Sequence, residues 1–132
     1  MSALRRIVTA DGAPDAVGPY SHAVVSGSLL FCSGQTPLDP ATGKLVEGGL
    51  EAQTARCLEN LSIVCAAAGA ELADAVRCGV FVTDMATFAE VNAAYAKWFA
   101  SEPPARTTIG VAALPLGSAV EIDAIVALPD AR

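Results

Sequence analysis

The run from Val76 to Thr83 constrains this chain more than any other segment, reading, Arg77 apart, as β-branched and apolar on both faces. A strand with one wet face alternates apolar and polar residues, so this one belongs in a sheet covered on both sides. The helices available to cover it number two. Leu50, Thr54, Cys57, Leu58, Leu61, Val64, Cys65 and Ala68 recur at helical spacing, with Gly69 where a left-handed closing residue is wanted. Val91, Tyr95, Trp98 and Phe99 form the face of a second helix, opened by a Thr87 and Glu90 capping box and stopped by Pro103 and Pro104. Two helices packed on one face leave the other bare, and a second subunit is the usual cover, so the pattern predicts an oligomer.

The remaining segments supply strands. Arg5 to Ala10 predicts a short one, followed by a loop from Asp11 to Tyr20 that holds Gly12, Pro14, Gly18 and Pro19. Ala23 to Val25 and Leu29 to Cys32 flank Ser26, Gly27 and Ser28 in a hairpin pattern. Thr36 to Gly49 is rich in proline and glycine and reads as loop, with one extended piece at Lys44 to Val46. Arg106 to Ala112 and Ala119 to Leu128 are the last strands, joined by a turn around Leu114, Pro115, Leu116 and Gly117. The order β-β-β-α-β-α-β-β predicts an α+β fold, a mixed sheet with both helices on one face, in a single domain spanning residues 1–132.

Charge and composition narrow the function. Eight basic against fourteen acidic residues give a net charge of −6, which repels polyphosphate and anionic lipid. Aromatics are only 5%, too few for a face that stacks single-stranded bases. Neither nucleic acid nor membrane is an expected partner. Arg5 and Arg6 precede no apolar run of the secretory kind, and no segment approaches the about 18 apolar residues of a membrane span. The cytoplasm is the expected location. Cys32, Cys57, Cys65 and Cys78 form no CxxC pair and have one histidine, His22, to help them, so no metal site is expected and all four read as reduced, mostly buried thiols.

No nucleophile elbow, Walker loop, dinucleotide glycine pattern or HExxH is present. What remains is single polar residues at strand ends. Arg106, Thr108 and Gly110 share one strand face, and Thr107, Ile109 and Val111 share the other. Glu121 and Asp123 alternate with Val120, Ile122 and Ala124, so both carboxylates point away from the apolar face. If the two strands pair with polar faces together, Arg106 lies roughly 13 Å from Glu121's partner, room for a small ligand or water. Each residue has a plainer reading: a strand-end arginine, two solvated carboxylates, a core-edge tyrosine at Tyr20, a turn at Ser33 and Gly34. Likewise, Asn92 reads as a structural helix residue and His22 as a surface or core-edge histidine.

Five motifs occur together: Gly18-Pro19-Tyr20-Ser21, Phe31-Cys32-Ser33-Gly34-Gln35, Val91-Asn92-Ala93-Ala94-Tyr95, Pro104-Ala105-Arg106-Thr107 and Val120-Glu121-Ile122-Asp123-Ala124. Their order resembles that of the reactive intermediate deaminases, the Rid or YjgF family, from about Val8 to Leu128. The resemblance implies a chorismate-mutase-like α+β fold and a homotrimer with a ligand cleft at each subunit interface. It also implies hydrolysis of 2-imino and 2-enamino acids, such as 2-aminoacrylate, to 2-keto acids and ammonia without metal or organic cofactor. By the same resemblance Arg106 corresponds to the carboxylate-binding arginine and Glu121 to the residue that positions water. Tyr20, Ser33, Gly34 and Asn92 correspond to substrate contacts, and Thr108 stands where many members have cysteine, its hydroxyl still able to donate to a ligand. His22 stands where glutamine is common, and the linker before Arg106 is shorter than in several relatives. Two rival readings are a ribonuclease, which needs a basic track that this charge does not supply, and a non-catalytic ligand sensor or chaperone-like protein, which would keep Arg106 but not need Glu121.

Overall fold

A computed structural model describes residues 4–129. The chain forms strands β1 (Arg5–Val8), β2 (Ala23–Ser26) and β3 (Leu29–Gln35), helix α1 (Leu50–Ala67), strand β4 (Ala75–Val82), helix α2 (Phe88–Ala96), and strands β5 (Ala105–Gly110) and β6 (Val120–Ala127). All six strands make one sheet in the order β1-β2-β3-β6-β4-β5, in which β4 and β5 are parallel and the other neighbours antiparallel. No helix among the described residues is long and apolar enough to cross a membrane.

Helix α1 forms where its spacing predicts, burying Cys57, Leu58, Leu61, Val64 and Cys65 against the sheet. Its end is a Schellman motif: Ala70 N–H donates to Cys65 O at 2.9 Å and Gly69 N–H to Ala66 O at 3.0 Å. Gly69 takes the φ of +76° that this closure requires. The four cysteines are free and buried, and burial pushes the Cys57 and Cys78 thiols up, away from thiolate chemistry.

Three local expectations are corrected. The hairpin turn is Gly27-Ser28 alone, because Ser26 pairs with Leu29; Gly27 at φ +62° supplies the backbone that a two-residue turn needs. The Thr87 and Glu90 box does not form. Asp84 accepts from Ala86 N–H at 2.9 Å and opens a short 3-10 turn first, and the Thr87 hydroxyl donates back to Asp84 O at 2.6 Å. The strand expected over Val76 to Thr83 is β4, one residue earlier at each end, and only one of its faces is covered within the chain. Cys78, Val80 and Val82 are buried beneath the helices, while the other face carries half-buried Phe81.

That second face is continuous across the sheet. Register links Ile7, Val24, Phe31 and Ile125 on it, and Phe81 and Ile109 further along. Ile7 is 50% exposed, Phe31 41% and Ile109 45%. Large apolar side chains in a connected row on a sheet face are a surface built to be covered.

Candidate active site

Glu121 and Asp123 stand on the open face, as their alternation with buried Val120, Ile122 and Ala124 requires. Asp123 is held by the sheet, accepting from Gly79 N–H at 2.8 Å. Glu121 is free of such a bond among the described residues. Its carboxyl lies above the usual carboxylate range, first because burial penalises the charge and second because Asp123 is beside it.

Strand β3 shapes the floor beside Glu121. Cys32 pairs with Ala124 and Gln35 with Ile122, so β3 carries one residue more than β6 over this span, a bulge at Ser33-Gly34. The Ser33 hydroxyl donates to Ser21 O at 2.6 Å, and Ser33 N–H donates to His22 O at 3.0 Å. Gly34 leaves the carboxylate its place: a Cβ there would collide with Glu121 Oε2 and lie 3.0 Å from Cδ, pushing the side chain aside.

The loop from Asp11 to Tyr20 makes a wall, and His22 holds it. Its Nδ1 accepts from Ala10 N–H at 2.9 Å, so Nε2 carries the proton and donates to Pro14 O at 2.8 Å. His22 is thus buried structure, not a surface residue. The opposite support is Asn60, fully buried on the apolar stripe of α1. Its amide donates to Thr36 O at 3.2 Å and Leu38 O at 2.9 Å, while Oδ1 accepts from Arg56 Nε and Nη2 at 3.0 and 2.8 Å. Between these walls lies a cavity of about 320 Å³ that gathers Tyr20, Ser33, Gly34 and Glu121, with Pro14, Val17, Leu38, Pro115 and Leu116 as apolar lining.

Arg106, Thr108 and Asn92 are elsewhere. The Arg106 and Glu121 strands do not meet the condition of pairing with polar faces together, because β4 lies between β5 and β6. Cys78 pairs with both Arg106 and Ala124, which puts Arg106 on the helix side; Phe81 pairs with both Ile109 and Glu121, which puts Glu121 on the open side. Arg106 is accordingly half-buried under α2, its guanidinium carbon 4.7 Å from the Tyr95 ring centre and 5.6 Å from that of Phe88. Phe88, Asn92 and Tyr95 follow one another at i, i+4 and i+7 on one helix face. Among the described residues, Asn92 Oδ1 and Thr108 Oγ1 are buried with no hydrogen-bond partner and Arg106 has no carboxylate partner. A half-buried guanidinium stacked on two rings, with no carboxylate partner among the described residues, keeps its donors for an anion.

Sequence reasoning missed the supports and the walls. Asn60 had a readable signal, a polar residue inside the apolar stripe between Cys57 and Leu61, which must find partners when buried. Val17, Leu38 and Leu116 had none, since loops converge on the cavity only through the tertiary fold.

A six-stranded sheet of this order, with both helices on one face, is the chorismate-mutase-like α+β architecture. The family model described as Endoribonuclease L-PSP matches residues 10–128. The chain is 51% identical over 123 residues to Protein DfrA of Myxococcus xanthus, covering 92% of this chain and 94% of the relative. It is 40% identical over 124 residues to the human 2-iminobutanoate/2-iminopropanoate deaminase, covering 94% and 90%. The crystal structure of Escherichia coli TdcF with bound serine superposes with a TM-score of 0.87 at 35% identity, covering 94% of this chain and 99% of that one. The chain belongs to the reactive intermediate deaminase (Rid, YjgF) family.

Proposed function

We propose that this protein hydrolyses 2-imino acids and their enamine tautomers to 2-keto acids and ammonia, in sites shared between neighbouring copies of a homotrimer. The observation that carries this reading is the separation of two half-sites: Glu121, Tyr20, Ser33 and Gly34 around the open-face cavity, and Arg106, Asn92 and Thr108 on the helix side of the edge strand β5. Neither half alone can hold a carboxylate and deliver water. A second copy seated on the open face, with its β5 edge near the cavity, completes both. The human deaminase and the serine-bound relative support the substrate class, a small acid bearing nitrogen at the neighbouring carbon.

In this reading Arg106 takes the carboxylate through two parallel charge-assisted bonds, fixing the imine carbon. Asn92, Thr108, Tyr20 and Ser33 orient the ligand, and Gly34 lets it approach the backbone. Glu121 holds a water, which adds to the C=N carbon as its proton passes to nitrogen; the tetrahedral carbinolamine then expels ammonia and leaves the C=O of the keto acid. The proposed location is the cytoplasm. The description of the matching family model names a ribonuclease, but the charge of −6 opposes binding of a polyanion.

The test is ammonia and keto-acid release from imines generated in solution by an amino-acid oxidase. Acceleration over spontaneous hydrolysis is expected. Binding of small carboxylates with no acceleration for any imine would replace the hydrolase by a sensor.

A further inference from the structure

We infer that Leu116 sets the side-chain preference of this site, favouring 2-imino acids with an aliphatic side chain of about three or four carbons over those with a methyl group. The inference rests on the hydrolytic reading above and deepens it.

Leu116 sits against its own preferences twice. Its backbone is left-handed, φ 60° and ψ 19°, a conformation that costs any residue with a Cβ, and the following Gly117 at φ +73° shows that a glycine was available to the turn. Its side chain is also 61% exposed, apolar and at the mouth of the cavity. Asparagine or glycine would relieve both. The other non-glycine residue with positive φ among the described residues, Glu102 at 49°, is an exposed carboxylate and carries only the backbone cost. Strain that persists beside a ligand cavity is a sign of function.

Leu116 does not act alone. Pro14, Val17, Leu38 and Pro115 share the cavity wall with it, and Val17 is itself 72% exposed. Ser33, which would orient the ligand, and Glu121, which would hold the water, line the same space. Its volume of about 320 Å³ lies at the small end of ligand pockets, yet a substrate with a methyl side chain would leave most of this apolar wall in water. Each buried methylene is worth about four-fold in affinity, so a longer aliphatic chain is the better occupant.

The test compares imines derived from leucine and from alanine on wild type, Leu116→Asn and Leu116→Gly, whose new residues both accept the left-handed backbone. Glu102→Gly is the control, relieving a positive φ away from the cavity. Wild type is expected to prefer the leucine-derived imine in kcat/KM. Both Leu116 variants are expected to lower that preference about ten-fold, the worth of between one and two buried methylenes, while Glu102→Gly leaves it unchanged. Calorimetry with the product acids 4-methyl-2-oxopentanoate and 2-oxopropanoate reads the same preference without turnover. An equal loss for both substrates, no loss for either, or no wild-type preference for the longer acid overturns the inference. A wild type that binds the longer acid more tightly through Leu116 yet releases no keto acid overturns the hydrolytic reading and leaves this inference standing.

Discussion

Arg106 illustrates how far one residue's chemistry depends on what surrounds it. The rings of Tyr95 and Phe88 hold its guanidinium in a half-buried position, and no carboxylate of the described residues spends its donors. Arg106→Ala is expected to lower kcat/KM for 2-imino acids by about ten- to a hundredfold with the fold intact by circular dichroism, from the loss of about 1.5 to 3 kcal/mol of charge-assisted bonding. Arg106→Lys restores part of this, since an ammonium lacks the planar fork. Glu121 answers to pH. Burial and Asp123 raise its folded value above the ordinary 4.5, so the folded state binds this proton more tightly than the unfolded chain. The ionised carboxylate therefore opposes folding at neutral pH, and that cost disappears as pH falls through the folded value toward 4.5. Glu121→Gln is expected to raise Tm at pH 7, with the gain shrinking in acid, while turnover is lost. Thermal melts of both proteins across that range check the sign.

Among elements, helix α1 has the widest reach. It covers the sheet with Leu58, Leu61 and Val64 and, through Asn60, pins the Thr36 and Leu38 carbonyls that set one cavity wall. Asn60→Ala would leave the Thr36 and Leu38 carbonyls without their donor, while the half-buried Arg56 guanidinium keeps Glu59. The expected cost is about 1 to 3 kcal/mol, with Tm lower by roughly 4 °C for each, and KM raised more than kcat is lowered because the wall moves and Glu121, carried by the sheet, does not. Denaturation curves and steady-state kinetics on one preparation separate the two effects. The bulge in β3 works in a similar way, since without the extra residue at Ser33-Gly34 the strand would run straight past the Glu121 carboxylate.

At the scale of the whole molecule, the bare apolar face and the two half-sites point to the same assembly. The purified protein is expected to scatter light as a trimer at micromolar concentration; a stable monomer would remove the shared site. Sharing has a sharper consequence. Arg106→Ala and Glu121→Gln subunits, each impaired alone, are expected to regain activity when co-assembled, because one interface then has an intact arginine facing an intact glutamate. Random mixing in a closed trimer gives roughly a quarter of wild-type turnover. A site contained within one chain would recover none.

Most of the fold was legible in local pattern. The periodicity of Cys57, Leu61 and Val64, the Gly69 stop and the alternation along Val120 to Ala124 each report a property of a single segment, namely which side faces the core. Parity likewise placed Arg106 with Thr108, and Glu121 with Asp123, on common faces of their own strands. Alternation carries no information about which strand lies next to which. The placing of β4 between β5 and β6, in a register that turns Arg106 and Glu121 to opposite sides of the sheet, was settled by tertiary packing. So were the burial of His22 and the meeting of Val17, Leu38 and Leu116 around one cavity. Burial toward the core is written residue by residue in a segment's own alternation, whereas strand order and loop convergence depend on how distant segments together bury the most apolar surface at the least cost in chain entropy.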